Sequence, residues 1–340
     1  MTTTASRLLA AAVAALSTVA LAGCSAGENA PAEPAAAAGS EWSTTSLDID
    51  FATYNPLSLV IKDQGWLEEE LGDDVTVTWT QSAGSNKANE ALRAGAIDVG
   101  STAGSAALLA RSNGSPIKAI EIYSQPEWAA IVVPTGSEIT SVEQLAGKRV
   151  AATKGTDPYF FLLQSLEEAG VPLDQVTIEN LQHADGKAAL ENGSVDAWAG
   201  LDPLMATSEA DAGSTLLYRN IDFNTYGFLN ATEDFLEQSP DVAQVVVDTY
   251  ERAREWAADN PEETAAILAE VAGIDESIAT AVLERTNLAV NPVPGEAQRS
   301  VLEVVGPIFV DSGDVADQAA IDAALESLFE PVYAEEASAG

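Results

Sequence analysis

The sequence predicts an α/β protein of two similar lobes with mainly parallel sheets, followed by a helical C-terminal segment. Three observations predict it. Short β-rich runs alternate with helical stretches from Leu47 to Asn230. The phrase Ala-Leu-x-x-Gly-x-(Ile/Val)-Asp occurs at Ala91–Asp98 and again at Ala189–Asp196, once in each half of that region. After Glu237 the β-rich runs stop and helical periodicity takes over. Ordinary punctuation would produce the repeated phrase too, because a glycine commonly ends a helix ahead of a strand. A chain of 340 residues has room for about two domains, each with its own core.

The N-terminus reads as an export signal. Leu8–Leu21 is an uncharged apolar run behind a single cation, Arg7. As a helix it reaches about 21 Å, short of the ~30 Å of a hydrocarbon core, so it fits a signal better than a membrane anchor. Small residues follow and end at Cys24, the one cysteine of the chain. Leu21-Ala22-Gly23-Cys24 is similar to a bacterial lipobox, which implies cleavage before Cys24 and its acylation. Residues 1–23 are therefore expected to be a signal peptide. Residues 24–45, rich in Ala, Pro, Ser, Gly and Glu, bury too little to order themselves and are expected to be a flexible linker at the membrane surface.

Charge and composition exclude several functions. The chain carries 53 acidic and 15 basic residues, a formal net charge of −38. Such a surface is unsuited to nucleic acid, whose phosphates need clustered Lys and Arg. One Cys and one His leave no disulfide, no thiolate cage and no His-rich metal site, and no metal or cofactor is expected. No Gly-x-x-x-x-Gly-Lys-(Ser/Thr) loop is present, and the one Gly-x-Ser-x-Gly run, Gly23–Gly27, lies at the lipobox and not on a strand-to-helix elbow. The chain is read as a binding protein, not an enzyme. The acidic run Glu68-Glu69-Glu70 with Asp73-Asp74 lacks EF-hand spacing and reads as a solvated face.

Strands are predicted at Leu47–Ala52, Val75–Gln81, Val99–Ser101, Ile117–Tyr123, Ala129–Val133, Arg149–Thr153, Thr177–Leu181, Ala197–Gly200, Thr215–Tyr218 and Tyr226–Asn230. Helices fall between them, for example Pro56–Gly65 and Pro158–Ala169. Ser239-Pro240 and Asn260-Pro261 each place a capping residue before a proline at the first helical position. Further helices are expected at Glu276–Arg285, Glu296–Val305 and Ala316–Phe329, packed on the outer side of the lobes.

Several phrases together resemble the solute-binding proteins of ABC importers for nitrate, sulfonate and taurine, the aliphatic sulfonate-binding family. They are Thr53-Tyr54-Asn55-Pro56-Leu57-Ser58 with Lys62-Asp63-Gln64-Gly65-Trp66-Leu67, Ala94-Gly95-Ala96-Ile97-Asp98-Val99-Gly100, Ser141–Lys148, Thr153-Lys154-Gly155-Thr156 and Gly193-Ser194-Val195-Asp196-Ala197-Trp198. Their order and spacing, from Leu47 to Asn230, carry the resemblance. It implies a two-lobed, type II periplasmic-binding-protein-like fold with crossovers near Tyr123–Ala129 and Tyr218–Tyr226. Residues 46–125 would form the first part of lobe 1, 126–218 lobe 2, and 219–340 the return to lobe 1 with the C-terminal helices. It also implies capture of a small sulfonate-like or zwitterionic solute by hinge closure, with ABC permease and ATPase subunits as partners. Nitrate or a nitrogen heterocycle remains the alternative ligand. A lipid-anchored monomer on the extracytoplasmic face of a bacterial membrane is expected.

Ligands of α/β sheets bind outside the carboxyl ends of the strands. That rule selects Tyr54 and Asn55, then Ser82, Gly84, Ser85 and Asn86, then Ser101 and Thr102, in the first half. In the second half it selects Lys154, Gly155, Thr156 and Asp157, then His183, then Asp202. Gln125 and Trp128 lie at the first crossover that the resemblance implies. Free N–H groups at helix starts could hold an anion, and Lys154 could neutralise it. Plain helix capping is the other reading of these loops, above all for Asp157 and Asp202, each of which precedes a proline. Uncapped, those two carboxylates would repel a bare anion and suit an ammonium or a heterocyclic N–H.

Overall fold

The computed structural model describes residues 42–339. The signal peptide expected at 1–23, Cys24 and most of the expected linker lie outside the described residues. Residues 42–45, the end of that linker, belong to the fold. Trp42 Nε1 donates to Leu71 O at 3.1 Å, and Ser43 N donates to Asp241 Oδ2 at 2.9 Å. The indole supplies an apolar side chain in a segment otherwise too small and polar to dock.

Among the described residues there are eleven strands: β1 (Ser46–Phe51), β2 (Thr76–Gln81), β3 (Val99–Ala103), β4 (Ile117–Pro126), β5 (Ala129–Val133), β6 (Arg149–Ala152), β7 (Thr177–Asn180), β8 (Ala197–Leu201), β9 (Thr215–Tyr218), β10 (Gly227–Thr232) and β11 (Thr286–Asn287). Ten coincide with the runs predicted from sequence. β11, two residues long, has no periodicity to be read. The first sheet has the order β11-β4-β10-β3-β1-β2, the second β7-β6-β8-β5-β9. The chain crosses from the first sheet to the second between Pro126 and Ala129 and returns between Tyr218 and Gly227.

The two sheets repeat one plan. β1 pairs in parallel with β2 and β3, and β6 in parallel with β7 and β8. The returning strand β10 and the outgoing strand β5 lie antiparallel beside β3 and β8. The repeated phrase performs the same work in both. Gly95 and Gly193 end their helices at φ 63° and 75°, a left-handed backbone that glycine adopts without steric cost. Asp98 Oδ2 then accepts the Asp48 N–H at 2.9 Å, and Asp196 Oδ2 the Arg149 N–H at 2.8 Å. The phrase is therefore more than helix punctuation: in each lobe its aspartate ties the new strand to the central one.

The C-terminal helices do not stay on the outside. Helix Glu296–Asp311 packs Phe309 on Phe160 of the second lobe, with ring centroids 4.3 Å apart. Leu268 and Ile278 share a core cluster with Leu59 of the first lobe and Ala206 of the second. Both are apolar at helical spacing, which says that a face is buried but not against what. In helix Pro240–Asp259, Arg254 reaches the buried Glu121 of β4 at 2.8 Å. Among the described residues no helix is long and apolar enough to cross a membrane.

Candidate functional site

The carboxyl ends of the parallel strands in both sheets face one another, and there the two lobes touch. Helix Ser85–Arg93 follows β2 and helix His183–Glu191 follows β7, so the two helices hold equivalent places in their lobes. Their N-termini meet. A Cβ on Gly84 would lie 2.9 Å from His183 Nε2, and one on Gly155 would lie 3.7 Å from Asn86 Cβ. Only glycine allows so close an approach at position 84. The cleft is thus shut by the loop 84–86 on one side and the loop 154–156 with His183 on the other.

Polar atoms there lack protein partners. Asn86 Oδ1, Gln182 Oε1 and His183 Nε2 are buried without a hydrogen bond among the described residues. Lys87 N and Ala88 N already donate to Gly84 O, and Gly186 N to Gln182 O, so the N–H groups ahead of them in each helix are the ones outside the helical ladder. Two helix N-termini set against each other favour a negative group between them. At the other end of the cleft Tyr54 and Trp128 meet edge to face, centroids 6.0 Å apart, and Tyr54 donates to Ser101 O at 3.0 Å.

His183 is 2 % exposed, with Nδ1 3.2 Å from Thr153 Oγ1, and burial pushes its pKa down to about 4 from 6.5. Folding therefore excludes its proton. The stability this contributes is complete above the unfolded value and is lost as pH falls toward about 4. Between neutrality and about pH 5, urea unfolding should show the wild type losing about 2 kcal/mol more than His183→Asn. Equal losses would contradict the buried neutral imidazole. Acidic groups common to both proteins cancel in the difference.

The cleft brings together Gly84, Ser85, Asn86, Gly155, Thr156 and His183, with Tyr54 and Trp128 beside them. Ser85 Oγ accepts from Ala103 N at 2.9 Å, and Thr156 Oγ1 donates to Thr153 O at 2.7 Å, so these hydroxyls shape the loops. Other predicted residues are engaged elsewhere. Asn55 caps its helix through Ser58 N and donates to Tyr250 Oη at 3.0 Å. Thr102 accepts from Asn230 Nδ2 at 2.8 Å inside the sheet. Gln125 sits in β4 opposite Asn287 and lines a groove with Ile221, Phe223 and Val304. Lys154 is exposed, its Nζ over the Tyr159 ring at 5.6 Å, where the ring takes up the cation.

The two aspartates that would have suited a ligand cation are met inside the protein. Asp157 is the first residue of its helix, after Thr156 as cap, and its carboxylate accepts four hydrogen bonds. Asp202 lies one residue ahead of the cap position, which Pro203 takes; its Oδ1 still accepts from the first-turn Ala206 N at 3.0 Å, and Oδ2 lies 2.7 Å from Arg285 Nε as an ion pair. No sequence motif pointed to Arg285.

Asp50 was not among the predicted residues. It is fully buried in β1, Oδ1 accepting from Ser101 N at 2.8 Å and from Ser101 Oγ at 2.6 Å, while Oδ2 has no partner. Burial pushes its pKa up to about 6 against those hydrogen bonds and the lowering influence of the Ser82 hydroxyl. Ser82 is itself buried where β2 turns into the cleft loop. No sequence signal separates it from Asp48, two residues earlier in the same strand, which is only half-buried.

Two matched sheets, two crossings of the chain and polar loops closing on each other define a two-lobed solute-binding fold of the periplasmic binding-protein type. The chain belongs to the NMT1/THI5-like family, whose model matches residues 57–264, more than half of it. It is 28% identical over 243 residues to the "Putative aliphatic sulfonates-binding protein" of Escherichia coli, covering 71% of this chain and 76% of that protein. To the Bacillus subtilis protein of the same description it is 27% identical over 286 residues, covering 81% and 86%. The fold is that of the alkanesulfonate-binding protein SsuA from Xanthomonas axonopodis pv. citri, solved bound to MOPS. The TM-score is 0.74 at 24% identity, covering 83% of this chain and 98% of that one.

Proposed function

We propose that this chain is the solute-capturing component of an ABC importer and takes an aliphatic sulfonate, or a zwitterion bearing one, between its lobes. One observation carries the reading: two equivalent helix N-termini, one per lobe, converge on a closed cleft in which Asn86, Gln182 and His183 hold buried atoms without partners. A sulfonate brings three acceptor oxygens and needs no cation to be held by N–H groups. This suits a protein with a net charge of −38, because the binding field is local. The aromatic pair Tyr54–Trp128 offers an apolar wall to the alkyl part. The Escherichia coli and Bacillus subtilis relatives named for aliphatic sulfonates support this ligand class.

Cys24 would carry the lipid that holds the protein at the extracytoplasmic membrane face, and closure would present the loaded protein to a permease. A thermal-shift panel tests the reading. An aliphatic sulfonate at about 100 times its Kd should raise Tm by about 5 °C. A shift with nitrate or a pyrimidine alone would replace the ligand class, and no shift with any small solute would overturn the function.

A further inference from the structure

Asp157 links more of the molecule than any other side chain in the cleft. Its Oδ1 accepts from Ser105 Oγ and from Thr225 Oγ1, both at 2.6 Å. Its Oδ2 accepts from Trp128 Nε1 at 2.8 Å and from Thr225 N at 2.9 Å. The donors come from three places. Ser105 opens helix Gly104–Ser112 of the first lobe, Trp128 lies in the outgoing crossover, and Thr225 lies in the returning one. Ser105 N in turn donates to Thr225 Oγ1 at 2.8 Å, which closes a triangle of Asp157, Ser105 and Thr225.

The surrounding backbone is shaped to this contact. Gly104 N donates to Thr225 O at 3.1 Å, and a Cβ on Gly104 would lie 2.4 Å from that same oxygen. Any side chain there would push the returning crossover away from the helix start. The next residue, Tyr226, has φ 57°, a left-handed conformation uncommon outside glycine and a mark of backbone held by its surroundings. The bond to Trp128 joins the second lobe to its outgoing connection, whereas Thr225 is itself held to the first lobe by Gly104 N and Ser105 N. The bond to Ser105 alone joins it directly to the body of the first lobe.

We propose that Asp157 is a latch: a positioning residue that holds the lobes shut through Ser105 and both crossovers, and so sets how much of the ligand-free protein is already closed. The idea builds on capture between the lobes as proposed above, but its first readout needs no ligand. Burial raises the Asp157 pKa and the four donors offset only part of that, and opening the cleft would return Ser105 Oγ to water and strip one of those charge-assisted bonds from Asp157. The latch therefore raises affinity for every ligand alike by raising the closed fraction.

The test is a distance measurement on the ligand-free protein. Spin labels are placed at Asp73→Cys and Asp174→Cys, both exposed and ahead of edge strands far from the cleft, in a Cys24→Ser background. The parent should give one short distance. Ser105→Ala and Thr225→Val should each add a longer population, shifting the closed-to-open ratio about tenfold. The same variants should weaken sulfonate, and any other ligand that binds, by one common factor. An unchanged distribution in both variants, or a parent already open, overturns the latch. If Asp157 contacts ligand instead, Asp157→Asn lowers affinity unequally among ligands while Ser105→Ala leaves the distance unchanged. If no solute binds at all, the proposed function fails while the distances still decide the latch.

Discussion

Replacing Arg254 by alanine is expected to lower the unfolding free energy by about 3–5 kcal/mol, the largest single-residue effect the structure implies outside the apolar core. Arg254 projects from helix Pro240–Asp259 onto β4. Its Nη2 donates to Glu121 Oε1 at 2.8 Å and to Ile122 O at 2.9 Å, its Nη1 to Tyr123 O at 3.0 Å and also to Leu288 O, and its Nε to Glu251 Oε1 at 2.9 Å. Glu121 is fully buried, and its Oε2 has no partner. Burial drives its pKa well above the usual carboxylate range, and Arg254 is the main opposing influence. Without the guanidinium the Glu121 carboxyl group and three carbonyls would stay buried without their donor. Urea unfolding of the single variant should show the loss, and Glu121→Gln added to Arg254→Ala should recover part of it. A single variant within about 0.5 kcal/mol of the parent would show that the pair is dispensable.

The second large effect falls on binding and spares the fold. Gly84→Leu should weaken sulfonate binding by about 10–100-fold while changing stability little. The new side chain would enter the space of His183, whose Nε2 lies 2.9 Å from the position of a Cβ on Gly84. A wedge between packed surfaces costs about 1–3 kcal/mol, and the closed state bears most of it, since Asn86 Oδ1 of the same loop is the one close neighbour that opening leaves in place. Each lobe keeps its own sheet and helices, so circular dichroism should be unaltered. Adding His183→Ala makes room and should restore much of the affinity. Wild-type affinity in Gly84→Leu, measured by titration calorimetry, would mean that the cleft does not close over the ligand.

What could be read from sequence follows from what is local. The strands came from runs of β-branched and apolar residues, and the equivalence of the lobes from one eight-residue phrase whose aspartates make the same bond in both sheets. The loop at Gly84 was visible because it follows a predicted strand, but the close approach to His183 that its glycine permits was not. Partners set by tertiary packing were not visible. Asp157 and Asp202 share a local signature, an aspartate before proline, yet one engages both crossovers and the other pairs with Arg285 from far along the chain. Lys154 was chosen for its charge, but the direction of its side chain, over Tyr159, is a packing outcome. Thr225, which completes the contact around Asp157, lies in a connection with no periodicity to betray it.

The central claim is that a small sulfonate is held between the lobes by the starts of two equivalent helices. Amide NMR titration tests it most directly, with methanesulfonate or a longer alkanesulfonate added to the labelled protein. The account predicts saturable shifts of the Ser85, Asn86, His183 and Ala184 amides, with one affinity common to both lobes. Shifts confined to the apolar groove between Leu163, Leu166 and Ile308, or to one lobe alone, would contradict it.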